Sequence, residues 1–172
     1  MSVTLDSIRI QSLSKLLQLS VQTFEETFGH QNTKENMAWY FKTKMNSKQL
    51  KKELQYPNSD FYWILFQKKI VGYLKLNFNN AQTEVVNFED SFEIQRIYIL
   101  SNFQGKGLGQ DVLSKVILLG KNKGYTFLWL GVWEQNKDAI AFYTKKGFKI
   151  FEKHVFQLGT DSQTDLLMGL EI

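Results

Sequence analysis

The sequence predicts a single mixed α/β domain over residues 1–172, built on one central sheet of about six or seven strands with helices against it. Strand-like and helix-like segments alternate along the chain without a repeat or a low-complexity linker. A nearly continuous apolar run over 125–132 indicates a central strand covered on both faces. A glycine-rich turn over 104–109 separates a strand-like run from a helix-like run.

The amino-terminal third is predicted to be mainly helical. Residues 8–10 alternate as in a short first strand, and apolar residues then recur at helical spacing over 13–29. Two shorter helices are expected after Thr33 and after Ser47, and the segment 57–59 ends this block.

The middle of the chain is predicted to be rich in strands. The runs 61–66 and 70–78 are full of β-forming residues, and the polar segment 67–69 between them reads as a hairpin turn. A further strand is expected over 93–100, after a polar connection.

The last third is predicted to alternate helix and strand. The helix opened by the glycine-rich turn has apolar residues on one face and closes near 120–124. A strand over 125–132, a helix over 134–146 and strands over 148–158 and 165–172 complete the order.

Composition excludes several function classes. The chain has no cysteine and two isolated histidines, so we expect neither a disulfide nor a metal centre. Its net charge of +4 is carried almost wholly by lysine, with only two arginines, which disfavours nucleic acid as a partner. No apolar run approaches the ~20 residues that cross a bilayer, and the first residues lack signal-peptide features. A cytoplasmic protein with no membrane partner is therefore expected.

One stretch has the opposite charge. Glu84, Glu89, Asp90 and Glu93 fall within ten residues that contain no lysine or arginine. Such a patch attracts a cationic ligand, although an ordinary polar loop has the same composition.

The glycine-rich turn suggests a phosphate site. Uncovered backbone N–H groups at a helix N-terminus bind phosphate oxygens. The spacing of Gly105, Gly107 and Gly109 fits neither the Rossmann nor the Walker pattern, and the turn reads instead as Gln-x-x-Gly-x-Gly from Gln104.

Two motifs together carry a family resemblance. About 25 residues after the turn, a second pattern runs from Trp133 to Phe148 and contains Asn136, Ala139, Phe142-Tyr143 and Gly147-Phe148. The two segments, in this order, resemble the signatures of the GNAT family of N-acetyltransferases. The resemblance implies the GNAT fold, whose middle strands are splayed, and acetyl-CoA as co-substrate.

Further segments are similar to PaiA-type spermidine/spermine N-acetyltransferases over nearly the whole chain. They are Thr23–Phe28, Asn32–Met37, Gln49–Leu54, Leu130–Glu134 and Gln163–Leu166. This resemblance implies direct acetyl transfer to a primary amine of a polyamine in a ternary complex. The acceptor is then a small-molecule amine, and both a monomer and a homodimer stay open.

The resemblance also implies roles for individual residues. Tyr143 is the expected acid for the departing thiolate, and a core tyrosine is the alternative. Glu93 is the expected base for the amine, and an exposed salt-bridging carboxylate is the alternative. The backbone of Ile97, Tyr98 and Ile99 is expected to bond the pantetheine arm.

The remaining site residues follow from the same resemblance. Asn136 is expected on the pantetheine or diphosphate arm, Lys106 or Lys145 near the phosphates, and Glu25 and Glu26 near the acceptor amine. The pyrophosphate is expected on Gln104, Gly105, Lys106, Gly107, Leu108 and Gly109.

Two other functions are compatible with these motifs. One is acetylation of a different amine: a protein N-terminus, a lysine, an antibiotic or a small metabolite. The other is a non-catalytic acyl-CoA-binding module that reports cofactor level to a partner, which retention of Tyr143 at the acid position disfavours.

Overall fold

The structure is a computed structural model that describes residues 2–172. Its elements follow one another as β1 (Thr4–Ser7), α1 (Leu13–Phe28), α2 (Lys34–Thr43), α3 (Ser47–Leu54), β2 (Ser59–Phe66), β3 (Lys69–Phe78), β4 (Ser91–Ile99), α4 (Leu108–Asn122), β5 (Phe127–Trp133), α5 (Lys137–Lys145), β6 (Lys149–Leu158) and β7 (Asp161–Glu171). The strands form one sheet in the order β1-β2-β3-β4-β5-β7-β6. The predicted mixed sheet is confirmed.

The middle of the sheet is splayed. Strands β4 and β5 form the one parallel pair, and all other neighbours are antiparallel. The parallel pairing joins Ser91–Ile94 to Phe127–Leu130 and goes no further, although β4 continues to Ile99 and β5 to Trp133. The two strands therefore separate toward their carboxyl ends, which confirms the splay expected from the family resemblance.

Helices cover both faces of the sheet. On one face, buried Ile94, Leu128 and Leu130 pack with Val112 and Val116 of α4. On the other face, α1 and α3 pack on β2 and β3, and α1 and α2 enclose a second apolar cluster around Phe24. The residues of β4 and β5 alternate between these two layers, so each face of the splay has its own set of side chains.

Three local predictions have clear outcomes. The first strand lies at Thr4–Ser7 and not at 8–10, where the chain turns into a short 3₁₀ helix at Ile10. An edge strand of this length has too few residues for alternation to fix its position. Helix α5 begins after Asn136, whose side chain caps it by accepting a 3.2 Å hydrogen bond from the Ala139 N–H. The hairpin at 67–69 is confirmed, with positive φ at Gln67 and Lys68.

Candidate active site

A cleft of about 580 Å³ opens where β4 and β5 separate. We call it the loop-side cleft, because the first residue of the glycine-rich turn lies in its wall. Its other walls come from the carboxyl ends of α1, β4 and β5 and from the start of α5. Six of the predicted cofactor residues line it: Ile97, Tyr98, Ile99, Gln104, Asn136 and Tyr143.

The end of β4 offers this cleft a strand edge. On one side Ile97, Tyr98 and Ile99 pair with β3, but on the other side they have no partner in β5. The carbonyl of Ile99 accepts a 2.8 Å hydrogen bond from Nε2 of Gln104, which ties the turn to the strand. An extended ligand can therefore pair with the open edge, as peptides do at exposed sheet edges.

The glycine-rich turn has the backbone conformation that the sequence suggests. Gly105 and Gly107 have φ of 72° and 77°, and a Cβ at either position would meet no atom within 4 Å. The glycines are thus required by the left-handed backbone and not by crowding. Gly107 is the N-cap of α4 and supplies no side chain, so the first N–H groups of the helix have no side-chain cap.

The other predicted phosphate-side residues differ in placement. Leu108 is buried in the core, and Gly109 lies against the ring of Phe142. Lys106 is exposed, with Nζ 5.0 Å from the ring centroid of Phe103. Lys145 is exposed on α5 and lines neither of the cavities described here.

Asn136 and Tyr143 face the loop-side cleft. The Oδ1 atom of Asn136 caps α5, while its Nδ2 has no partner among residues 2–172. Tyr143 packs between Phe142 and Phe148, with ring centroids 5.1 and 5.3 Å away. Burial raises the pKa of Tyr143 well above its ordinary value. Its hydroxyl therefore keeps its proton, and within the described chain it donates to no other residue.

A second cavity of about 410 Å³ lies on the α1–α2 face of the splay. We call it the acidic pocket, because Glu84, Glu93 and Asp165 stand in its wall. Aromatic rings supply much of the remaining lining: Phe24, Phe28, Tyr40, Tyr98, Trp129, Trp133 and Phe156. Strands β5 and β7 contribute odd-numbered residues, as expected for one face of a sheet. The bulge at Gln95 shifts the alternation of β4 by one residue, so β4 contributes Glu93 before the bulge and Arg96 and Tyr98 after it.

The two cavities share part of their lining. We call this shared part the neck, formed by Phe28, Gln95, Arg96, Tyr98, Gly131 and Trp133. The two cavities are therefore adjacent, with the separated strands between them.

Glu93 is buried, with 3% of its surface exposed. Its carboxylate accepts hydrogen bonds from the N–H and hydroxyl of Thr83 and from Nδ2 of Asn77. Burial raises the pKa of Glu93, against the opposing effect of these hydrogen bonds. The alternative of an exposed salt-bridging carboxylate is therefore wrong.

Asp165 was not predicted as a site residue. It pairs with Trp133 of β5 and His154 of β6, and its side chain forms no hydrogen bond or ion pair with any described residue. Burial raises the pKa of Asp165 to about 6, against the opposing effect of His154. The antiparallel pairing of β7 with β5 brings this residue to the site. The sequence singled out the segment Gln163–Leu166 only for its similarity to PaiA-type enzymes and gave Asp165 no role.

Glu84 and His154 are in contact in the same pocket. The Nδ1 atom of His154 lies 2.7 Å from Oε1 of Glu84. The acidic stretch of the sequence is therefore divided: Glu84 and Glu93 face the pocket, while Glu89 and Asp90 line neither cavity.

The two predicted amine contacts on α1 lie elsewhere. Glu26 lines the loop-side cleft and accepts a 2.9 Å hydrogen bond from the Ser101 N–H. Glu25 is exposed and lines a shallow groove on the outer side of α1. Phe24 and Phe28 occupy the face of α1 that meets the acidic pocket, and a residue next to Phe24 is turned about 100° away. Neither glutamate therefore lines the acidic pocket.

A buried charge network braces the neck and was also missed. Arg96 binds Glu53 of α3 through two hydrogen bonds of 2.7 and 3.2 Å, and Lys75 of β3 binds the same carboxylate at 2.8 Å. Burial alone would raise the pKa of Glu53, but Arg96 and Lys75 outweigh it and hold the pKa at about 2. The network ties α3 to the part of β4 that forms the neck.

Within residues 2–172, no cluster of histidine and carboxylate side chains is arranged to bind a metal ion, and no helix has the length and apolarity needed to cross a membrane.

The sequence is similar to those of known N-acetyltransferases. Residues 14–148 match the Acetyltransferase (GNAT) family. An uncharacterised N-acetyltransferase from the pepI 3′ region of Lactobacillus delbrueckii subsp. lactis is 39% identical over 158 residues, covering 92% of this chain and 91% of that one. A spermidine N(1)-acetyltransferase of Thermoplasma acidophilum is 21% identical over 154 residues, covering 87% and 90%.

Solved structures show the same fold. The crystal structure of the PaiA N-acetyltransferase from Thermoplasma acidophilum in complex with coenzyme A superposes with a TM-score of 0.78 at 20% identity, covering 100% of both chains. A GCN5-related N-acetyltransferase from Rhodopseudomonas palustris superposes with a TM-score of 0.74 at 12% identity, covering 100% of this chain and 97% of that one. With its splayed sheet, glycine-rich turn and matching sequence, the chain belongs to the GNAT family of N-acetyltransferases.

Proposed function

We propose that this N-acetyltransferase transfers the acetyl group of acetyl-CoA to a primary amine of a polyamine, such as spermidine or spermine, by direct attack in a ternary complex. The observation that carries the proposal is the acidic pocket, which shares the residues of the neck with the loop-side cleft. The distant similarity to a spermidine N(1)-acetyltransferase points the same way.

The charge balance of the acidic pocket favours a cation. The guanidinium of Arg96 is already paired with Glu53, and His154 is paired with Glu84. Glu93 and Asp165 have no cationic partner within 4 Å among the described residues. A ligand with more than one ammonium group balances such a pocket, and the aromatic walls favour alkylammonium groups through cation–π contacts.

Groups in and beside the loop-side cleft suit the successive parts of acetyl-CoA. The N–H groups of residues 105–109 suit the pyrophosphate, the open edge of β4 suits the pantetheine arm, and Nδ2 of Asn136 is a free donor beside it. The left-handed glycines leave the turn uncovered, as a phosphate cradle requires. When bound, acetyl-CoA supplies an acetyl thioester whose carbonyl carbon is open to attack and whose sulfur departs as a thiol.

The protein's own groups then have separate tasks. A backbone N–H at the splayed end of β4 stabilises the oxyanion, and the phenol of Tyr143 donates to the departing sulfur. Because the pKa of Tyr143 is raised and a thiol has a pKa of ~8.5, complete proton transfer is uphill, and the hydroxyl acts mainly by hydrogen bonding. A carboxylate in the acidic pocket removes a proton from the acceptor ammonium, whose pKa is ~10.4; Glu93 is the residue that the family resemblance nominates.

An amine-panel assay that follows thiol release tests the proposed acceptor. Purified protein is given acetyl-CoA with spermidine, spermine, a simple alkyl monoamine, a lysine peptide or a peptide with a free N-terminus. We expect kcat/KM for the polyamines to exceed that for the monoamine at least ~10-fold, because the monoamine lacks a second charge for the pocket. Preference for a peptide or the monoamine would refute the polyamine assignment and leave the family unaffected. Coenzyme binding without thiol release for any amine would indicate a binding module.

A further inference from the structure

Asp165 lines the acidic pocket and lies next to Gly131, a residue of the neck. Gly131 lines both cavities, and a Cβ built on it would lie 3.7 Å from Oδ2 of Asp165. The carboxylate of β7 is thus beside the neck, next to a position that carries no side chain. We propose that Asp165 is the general base that takes a proton from the acceptor ammonium, an inference that rests on the proposed amine acetylation.

The Asp165 carboxylate differs from that of Glu93 in its hydrogen bonding. Glu93 already accepts three hydrogen bonds from Thr83 and Asn77, which fix its orientation and occupy both oxygens. The Asp165 carboxylate accepts none from any described residue, so its lone pairs are free for an ammonium group or a bridging water. Both residues line the acidic pocket, but Asp165 is the one placed beside Gly131.

The surroundings of Asp165 support proton acceptance. Charged and titratable groups face it from β6, α2 and β4: His154, Tyr40, Arg96, Tyr98 and Glu93. Burial outweighs the opposing effect of His154 and raises the pKa of Asp165 to about 6. At pH 7 such a carboxylate is mostly ionised, yet it is a stronger base than an ordinary aspartate.

The proton balance of the step is complete. The ammonium loses one proton to Asp165, directly or through one water, and its nitrogen pair forms the C–N bond as the C–S bond breaks. The second proton leaves the nitrogen when the amide forms, and the departing sulfur takes up one proton while the Tyr143 hydroxyl hydrogen-bonds to it. Ammonium and thioester thus give amide, thiol and one proton, which Asp165 returns to solvent.

The test compares wild type with Asp165→Asn, Glu93→Gln and the control Glu171→Gln, a charge removal at the exposed far end of the same strand. For Asp165→Asn we expect kcat/KM for the best amine of the panel to fall roughly 10²–10³-fold through kcat, with unchanged affinity for coenzyme A. The rise of wild-type kcat/KM through pH 6 should disappear in this variant. Asp165→Glu should recover part of the activity, and Glu171→Gln should behave as wild type.

Titration of the Asp165 carboxyl by carbon NMR, without any substrate, provides a readout independent of turnover. A midpoint near 6 supports the proposal, and a midpoint near 4 overturns it. Retention of the acidic limb in Asp165→Asn, its loss in Glu93→Gln, or an effect on KM alone would also overturn it. Failure of the wild type with every amine would instead count against the proposed function, which separates the two results.

Discussion

The loop-side cleft and the acidic pocket meet at one neck but are built by different means. The loop-side cleft offers the open backbone edge of β4 and the first turn of α5, and the turn that follows Gln104 adds uncapped N–H groups next to it. The acidic pocket presents side chains from α1, α2 and four strands, together with Glu84 of the connection before β4. Backbone recognition depends on local conformation, whereas side-chain recognition depends on which distant residues the fold brings together.

This difference has a physical consequence for each half. A ligand held by N–H groups and a strand edge tolerates most substitutions around it, except at the glycines that set the backbone. A ligand held by carboxylates and rings responds to every substitution that changes charge or shape. Variants directed at each half should therefore separate coenzyme binding from acceptor turnover.

The largest effect is expected where both halves share a support. Glu53→Gln should lower the free energy of unfolding by about 3–5 kcal/mol, because Arg96 and Lys75 would then be buried without their common anion. Urea unfolding measures the loss, with exposed Glu152→Gln as a control expected within about 0.5 kcal/mol of wild type. A loss below about 1 kcal/mol would show that the network does not brace the neck.

The same carboxylate sets an acid dependence of stability. The pKa of Glu53 is about 2 in the folded chain against an ordinary 4.5, so its contribution is complete above pH 4.5 and is lost as the pH falls toward 2. Between pH 2 and pH 4.5 the free energy of unfolding, measured by urea unfolding, should therefore change less with pH in Glu53→Gln than in wild type.

The next prediction concerns the glycine-rich turn beside the loop-side cleft. Gly107→Asp should weaken coenzyme A binding roughly 30- to 1000-fold, through the strain of a left-handed aspartate and the repulsion of phosphate. Isothermal titration measures the change. Gly124→Asp is the matched control, because Gly124 also has a positive φ of 85° and open space but lies at the far end of α4. Equal affinities in both variants would remove the turn from the coenzyme site.

The smallest expected effect falls on chemistry, with both ligands still bound. Tyr143→Phe should reduce kcat roughly 10- to 100-fold, the value of a hydrogen bond to a charged atom, and leave coenzyme affinity unchanged. Ring packing against Phe142 and Phe148 is preserved in phenylalanine. Unchanged turnover would show that the hydroxyl has no role at the sulfur.

The contrast also explains what the sequence revealed. The glycine-rich turn and the segment around Asn136 are local patterns, so the loop-side cleft was largely predictable from them. Asp165 enters the acidic pocket only through the pairing of β7 with β5, and Arg96 finds Glu53 across a separation of 43 residues. Glu25 lies outside the acidic pocket because a helix turns the residue after Phe24 away from the face that Phe24 buries. Pairing and helix phase are properties of the folded chain.

The hydrogen bonds from Thr83 to Glu93 also hold a loop in position. These bonds fasten the connection between β3 and β4, which carries Glu84 into the acidic pocket. The connection contributes no strand to the sheet, and no residue of it lines the loop-side cleft. Substitutions in this connection can therefore change the side chains presented to the acidic pocket, while Thr83 holds its position and the lining of the loop-side cleft stays the same.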